Sequence, residues 1–381
     1  MTWIALKMLT GDRGKYYAII FGVTFASLLI AEQSATFCGI MLRTTSQIRD
    51  MHGADIWIMN PNVRYVDDLK AISDNDVFKV RGVPGVAWAV NLYRGQGQAQ
   101  LENGNYQGVI LMGLNDASLV GAPVKMLVGN LGDLQNPDAI LVDEAGFHQL
   151  WPGEPLHTGK VIQMNDRRAV IVGVYRASQT FMTLPVIFTR FSQATLFVPP
   201  YRRLMPFVLA KCQPGEPPAD VARRIEDQTR LQALSTQQFA LHTMQYYLRH
   251  TGIPINFGTT VLLGFLVGCA ISGQTFYLFT VENLKQFGTL KAMGLDDRRI
   301  VAMILIQALV VAAIGYGLGI GLATIFGILS QKYLPMMAFF LPWQVLALTG
   351  VAVVLIALVA SLISIRRVLI LEPAIVFQGG A

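Results

Sequence analysis

From Ile300 to Gln331 the chain reads IVAMILIQALVVAAIGYGLGIGLATIFGILSQ, without one Asp, Glu, Lys or Arg. A helix crossing a hydrocarbon core ~30 Å thick needs about 20 mostly apolar residues, and this stretch exceeds that length. On either side of it, residues 251–281 and 333–365 are likewise free of charge. The apolar segments within these windows, 257–280, 300–329 and 342–365, join a fourth at 16–38. The expected fold class is an α-helical membrane protein with four transmembrane helices. The polar stretch 39–256, between the first and second spans, is expected to be a large α+β extracytoplasmic domain on helical stalks.

Composition agrees, at 53% hydrophobic and 14% charged, which excludes disorder and an ordinary cytosolic enzyme. The net charge of +6 is a topology signal. Lys7, Arg13 and Lys15 precede the first span, Lys285, Lys291, Arg298 and Arg299 lie between the second and third, and Arg366 and Arg367 follow the fourth. Basic residues concentrate on the cytoplasmic side. The N-terminal segment 1–15, the loop 281–299 and the tail 366–381 are therefore read as cytoplasmic, and 39–256 and the short connection 330–341 as periplasmic. Charge placed in this way leaves no phosphate-binding footprint, and no nucleic-acid partner is expected.

Trp3, Ile4, Leu6, Met8 and Leu9 interleave with Lys7 and Thr10, which predicts a short amphipathic helix on the inner membrane surface. Ser34-Ala35-Thr36-Phe37-Cys38 offers no small-x-small cleavage site, so the first span reads as an uncleaved anchor. Residues 39–52 read as a helical stalk and 236–250 as a second one returning to the membrane. Between them, strands are expected at 54–61, 86–92, 107–112, 139–142, 160–163 and 169–175, with a hairpin turn at Asn165-Asp166. Helices are expected at 77–80, 143–150 and 219–233. Cys212 is the only cysteine between the first two spans, so no disulfide can form within that domain.

The search for catalytic chemistry is negative. No Gly-x4-Gly-Lys-[Ser/Thr] loop occurs; Gly153 to Gly159-Lys160-Val161 has the wrong spacing, and Val161 replaces the magnesium-binding hydroxyl. The histidines at 52, 148, 157, 242 and 250 lack ligand spacing and no Cys-x-x-Cys occurs, so neither a metal site nor a catalytic residue is assigned. Gly315, Gly317, Gly319 and Gly321 form two small-xxx-small pairs inside a span, the pattern of close helix packing. Glu32 falls in the outward half of the first span. It either reaches the interface or bonds a neighbouring span, or it contacts substrate or a second copy of the chain.

The loop Glu282-Asn283-Leu284-Lys285-Gln286-Phe287-Gly288-Thr289-Leu290-Lys291-Ala292-Met293-Gly294 has helical spacing. Leu284, Phe287 and Lys291 lie along one side, and Gly294 stands at the helix C′ position. Asp296 is placed to cap the next helix. Phe287 and Met293 read as exposed side chains fit for a partner's groove.

This loop resembles the signature of the FtsX/MacB-like ABC transporter permeases, a mechanotransmission type of ABC protein. The tail Arg366-Arg367-Val368-Leu369-Ile370-Leu371-Glu372-Pro373-Ala374 is similar to the family's closing element, and the four-span topology matches. The wording of the loop, with Ala54-Asp55-Ile56, is closest to the DevC branch. The resemblance implies a permease subunit that is not itself an enzyme and carries no cofactor. It would act as a homodimer with two copies of a separate ABC ATPase, which holds ATP and Mg. Glu282, Leu284, Lys285, Phe287, Gly288, Lys291, Met293 and Gly294 would form the coupling contact. A HlyD-type membrane-fusion adaptor and, through it, a TolC-like outer-membrane channel would complete a tripartite exporter. An amphipathic or lipid-like substrate would then leave without crossing the inner bilayer. Two alternatives from the same resemblance are an FtsX-like regulator of a cell-wall hydrolase and a lipoprotein-release permease.

With no phosphate-cradling loop in the chain, the purified protein free of any ATPase subunit is expected to show no ATP hydrolysis. Turnover that survives removal of every ATPase contaminant, measured by phosphate release, would contradict this.

Overall fold

The computed structural model describes residues 2–334 and 337–369. Helices α1 (Thr2–Gly11) and α2 (Arg13–Arg43) are followed by α3 (Ser46–Arg49), β1 (Ile56–Met59) and α4 (Asp76–Arg81). Next come β2 (Val86–Gln100), β3 (Tyr106–Leu114), β4 (Met126–Gly129), β5 (Ala139–Asp143) and α5 (Glu144–Leu150). β6 (Val161–Met164), β7 (Arg167–Tyr175), β8 (Val186–Arg190), α6 (Phe191–Leu196), β9 (Phe207–Cys212), α7 (Pro218–Thr229) and β10 (Gln232–Ser235) complete the sheet region. α8 (Thr236–His250), α9 (Ile253–Glu282), α10 (Leu284–Ala292), α11 (Asp297–Tyr333) and α12 (Trp343–Leu369) follow. The chain forms two compact units, Met1–Ile40 with Gly252–Ala381, and Met41–Thr251.

In the first unit four helices are long and apolar enough to cross a membrane: α2, α9, α11 and the Trp343–Arg366 part of α12. Helices in hydrocarbon gain nothing from hiding apolar surface, so they associate through close packing of small residues. A Cβ on Gly315 would stand 2.6 Å from Val23 Cγ1, and one on Gly319 2.5 Å from Ser27 Cβ. These two glycines let α11 press against α2. Gly268 of α9 approaches Ala26 in the same way, at 2.5 Å. Gly317 and Gly321 have nothing within 4 Å. At 3.6 residues per turn they lie about 200° around the helix from the buried pair, so only one of the two expected packing pairs is used within the chain. α1 buries Ala5 and Leu9, and Gln307 Nε2 on α11 donates to the Ala5 carbonyl at 2.8 Å. The helix expected to lie on the membrane surface is thus docked on the bundle, with Trp3 and Leu6 exposed.

The second unit is one ten-stranded sheet in the order β10-β1-β9-β2-β3-β8-β5-β7-β4. β2 pairs with β9 over its first half and with β3 over its second. β6 pairs with both β2 and β7 and closes the larger half on itself. Alternation sorts the core: Ile110, Met112 and Leu114 join one cluster, Val109 and Leu111 another, because successive strand side chains point to opposite faces. α4 and α7 supply Val77, Val80, Val221 and Ile225 to the face carrying Ile56 and Ile58. α3 and α8 supply Ile48 and Phe239 to the face carrying Trp57 and Leu209.

Several expected elements stand where the sequence puts them. Asn165 and Asp166 both have positive φ, 51° and 58°, the primed hairpin turn that matches strand twist. α8 opens on a capping box, with Gln238 N donating to Ser235 Oγ at 3.2 Å and Ser235 N to Gln238 Oε1 at 3.0 Å. Others differ. The helix expected to run to 233 stops at Thr229, because Arg230 turns left-handed at φ 60° and Ala233 enters β10 beside Ile58. The stalk expected over 39–52 is α2 to Arg43, a turn, then α3. Thr251 is extended after α8, so the second stalk and α9 are separate helices.

Gly319→Leu is expected to destabilise the bundle by about 1–3 kcal/mol through overpacking against Ser27, while Gly317→Leu leaves it unchanged. Thermal unfolding of the two detergent-purified variants checks this; equal midpoints would contradict it.

Candidate functional site

α10 is a short helix between two long ones, and its ends are built from backbone geometry. Gly294 has φ 88°. Leu295 N donates to the Leu290 carbonyl at 3.1 Å and Gly294 N to the Lys291 carbonyl at 3.0 Å, the paired bonds of a Schellman motif. Gly294 therefore has the C′ role read from the sequence. Asp296 holds the N-cap position of α11 with extended backbone, but its side chain makes no cap hydrogen bond.

The inward and outward faces of α10 are not the expected ones. Phe287 is 1% exposed and packs with Ile300 and Ile304 of α11 and with Ile365 and Val368 of α12. Gly288 is buried beside it. An aromatic ring beside a helix in a charged loop looks like a docking anchor, yet here the neighbouring helix ends supply the groove. Lys291 Nζ pairs with Asp297 at 3.0 Å and donates to the Leu369 carbonyl at 3.3 Å. Lys15 pairs with Asp12 at 2.7 Å and with Glu282. Leu284 is partly buried in the same cluster as Phe287. Lys285, Met293 and Gly294 remain outward, and Met293 is 71% exposed. Lys285, Thr289 and Met293 recur every four residues, with Gln286 and Ala292 exposed beside them. This stripe is a contiguous exposed face. Thr289, Gln286 and Ala292 escaped the sequence reading, although their spacing from Lys285 and Met293 was there to find them.

A second constellation, which the sequence reading missed, lies inside the sheet unit. Arg94 on β2 is 3% exposed. Its Nε and Nη2 donate to Gln47 Oε1 at 2.8 and 2.5 Å, and Nη2 also donates to Asp67 Oδ1 at 2.6 Å. Tyr247 OH on α8 donates to Asp67 Oδ2 at 3.1 Å. Burial, then the charge of Asp67, pushes the Tyr247 phenol well above its ordinary value. Removing one partner of such a buried pair costs about 3–5 kcal/mol, because it strands the other charge. The network ties β2 to α3 and α8. Arg94 follows Val90 and Leu92 at two-residue spacing on one strand face, so a charge in register with core residues was the available signal.

Glu32 accepts hydrogen bonds from Gln33 Nε2 at 2.7 Å and Thr36 Oγ1 at 3.1 Å. Its carboxylate is satisfied by two side chains of its own helix and by none from a neighbouring span among the described residues. Cys38, Cys212 and Cys269 are free. No cluster of His, Cys, Asp and Glu among the described residues could hold a metal. The closing motif lies outside the described residues from Ile370 to Ala374, as does the rest of the tail.

Comparison with known proteins gives matches over both units. The family model of the MacB-like periplasmic core domain matches residues 18–228, and that of the FtsX-like permease C-terminal region matches residues 258–373. An uncharacterized ABC transporter permease of Mycobacterium tuberculosis is 36% identical over 121 residues, 31% of this chain and 32% of the relative. The chain thus spans about a third of the curated relative's length. Two solved structures match at 14% identity and a TM-score of 0.37. The extracellular domain of the ABC-type transporter YknZ of Gram-positive bacteria covers 48% of this chain and 100% of its own. The periplasmic region of MacB from Actinobacillus actinomycetemcomitans covers 54% and 96%.

Phe287→Ala is expected to destabilise the α10–α11–α12 junction by about 3 kcal/mol, the cost of emptying a buried aromatic site. Met293→Ala should leave thermal stability within about 0.5 kcal/mol, as exposed positions do. Differential scanning of the purified chain separates them, and a Phe287→Ala midpoint equal to wild type would contradict the assignment.

Proposed function

The chain belongs to the family of MacB-like and FtsX-like ABC transporter permeases, and from that premise we propose that it is the membrane subunit of an exporter. Membership of this family implies an ABC ATPase partner. The chain would act as a homodimer, since twofold closure is the commonest way for one chain to complete a symmetric assembly. Two copies of the ATPase would bind ATP and Mg, with both termini and α10 on the cytoplasmic side.

The observation that carries this reading is the division of α10 into a locked face and a free face. Phe287 and Lys291 fasten the helix to α11 and α12, so a push on the outward stripe moves the three elements together. A loosely tethered loop would absorb that push. Lys285, Thr289 and Met293 would enter a groove of the ATPase, with Met293 as the apolar anchor. Closure of the nucleotide-bound ATPase pair would then displace the α10 platform as a rigid element.

In the sheet unit the Arg94–Asp67–Gln47–Tyr247 network favours transmission over local yielding. α3 begins shortly after α2 ends, and α8 ends shortly before α9 begins. Movement passed along the chain from either span would meet elements clamped to the same strand. The output would be a conformational change of the periplasmic unit that moves an amphipathic or lipid-like substrate toward a HlyD-type adaptor and a TolC-like outer-membrane channel. Hydrolysis occurs in the partner, and this chain is a permease, not an enzyme.

Co-expression with the cognate ABC ATPase tests the coupling face. Met293→Asp should lower co-purification about tenfold, the loss of roughly 1.4 kcal/mol from an interface anchor, and Lys285→Glu should lower it less. Membrane insertion and thermal stability should be unchanged in both. Wild-type recovery of the ATPase with both substitutions would remove the coupling role of this stripe.

A further inference from the structure

The sheet unit contains a cavity of about 400 Å³, inside the range of small-molecule sites. Its floor is apolar and shared with the main core: Met112, Tyr175, Val186 and Phe188 line it. The one polar atom of that floor, the Tyr175 hydroxyl, is already spent on the Val186 carbonyl at 3.0 Å. The wall is different. Thr180 is 5% exposed, lines the cavity, and its Oγ1 is buried without a hydrogen-bond partner. Gln47 also lines the cavity, and its Nε2 is buried and unpartnered. The orientation of that amide is set by Arg94, which takes Oε1 with two nitrogens and leaves the NH2 end as a donor. Unpartnered buried polar groups cost about 1–3 kcal/mol each, and both of these belong to side chains that line the cavity.

Two of the charges at the mouth are already engaged by neighbours. Arg176 is held by Glu144 at 2.9 Å, and Asp50 accepts from Ser178 N and Oγ at 2.8 and 3.0 Å. Lys125, exposed at the rim, makes no ion pair or side-chain hydrogen bond among the described residues.

We propose that this cavity binds an amphiphile with one apolar chain and a carboxylate head. The chain lies against Met112, Val186 and Phe188. The carboxylate accepts hydrogen bonds from Gln47 Nε2 and Thr180 Oγ1 and faces the Lys125 ammonium. This names the substrate class of the exporter and rests on that reading for its role. Occupancy would also be felt at once by the clamp, since Gln47 is a member of both.

The test uses the full chain in lipid nanodiscs with a diazirine-bearing dodecanoate, photolysed and mapped by peptide mass spectrometry. The expected result is saturable labelling within 112–125 and 175–188. Excess dodecanoate should compete, and dodecyltrimethylammonium and acetate should not. Lys125→Glu and Thr180→Val should each lower labelling about fivefold, the scale of one polar contact, with thermal stability retained. Labelling confined to the spans, equal competition by the cationic amphiphile, or full labelling in both variants would overturn the site. ATP-driven dodecanoate export by the chain with its ATPase is measured in parallel. Export without cavity labelling removes the site and keeps the exporter; cavity labelling without export keeps the site and removes the exporter role.

Discussion

A peptide group in hydrocarbon has no water to bond, so it must find its partner within the protein. That constraint makes the four apolar segments helices, and it also dictates how they meet. With no hydrophobic gain from hiding Leu against Leu in lipid, the bundle is held by close approach at Gly315, Gly319 and Gly268. Three polar side chains within it turn to the backbone: Ser27 to the Tyr316 carbonyl at 3.5 Å, Tyr316 to the Leu346 carbonyl at 3.1 Å, Gln307 to the Ala5 carbonyl at 2.8 Å. The platform formed by the start of α11 and the end of α12 is a consequence of this packing, and α10 is seated on it through Phe287.

The sheet unit answers to the opposite solvent. Water satisfies its exposed backbone, so strands and hairpins are allowed, and two apolar layers of helices cover one sheet. Burying Arg94 there is costly by itself. The cost is offset by three short contacts from the guanidinium, two to Gln47 of α3 and one to Asp67, while Tyr247 of α8 holds the same carboxylate: the guanidinium cannot be satisfied unless α3 and the loop carrying Asp67 both occupy their places. The same geometry leaves the amide of Gln47 with a free donor at the edge of an apolar cavity. A clamp and a cavity that share one side chain give the unit a means of relating what it holds to how its flanking helices are set.

The α10 helix shows how a correct local reading can assign the wrong face. Its existence, its Gly294 terminus and the Asp296 boundary follow from composition and spacing. Phe287 was expected outward because a loop between spans is short and charged, and nothing in the loop 281–299 reveals that Ile300, Ile304, Ile365 and Val368 converge on it. Once that pocket is formed, Met293 is the large apolar side chain left exposed at the end of α10, and the exposed stripe lies on the Lys285–Thr289–Met293 side.

By itself the sequence determined what depends on neighbours in the chain. The spans follow from uninterrupted apolar length, and the hairpin at Asn165-Asp166 from two residues that tolerate positive φ. The helix over 236–250 follows from its spacing, and the family from the loop motif. Tertiary structure decided what depends on partners distant in sequence. Strands β4, β8, β9 and β10 were not among the strands expected from the sequence, and they are held by pairing with β7, with β3 and β5, with β1 and β2, and with β1. Arg230 ends α7 in a left-handed turn that its residue type does not favour, because β10 must reach β1. The choice of Gly315 and Gly319 over Gly317 and Gly321 was made by the position of α2. The inward turn of Phe287 and the clamp around Arg94 likewise come from burial shared among elements, a quantity that local pattern does not carry.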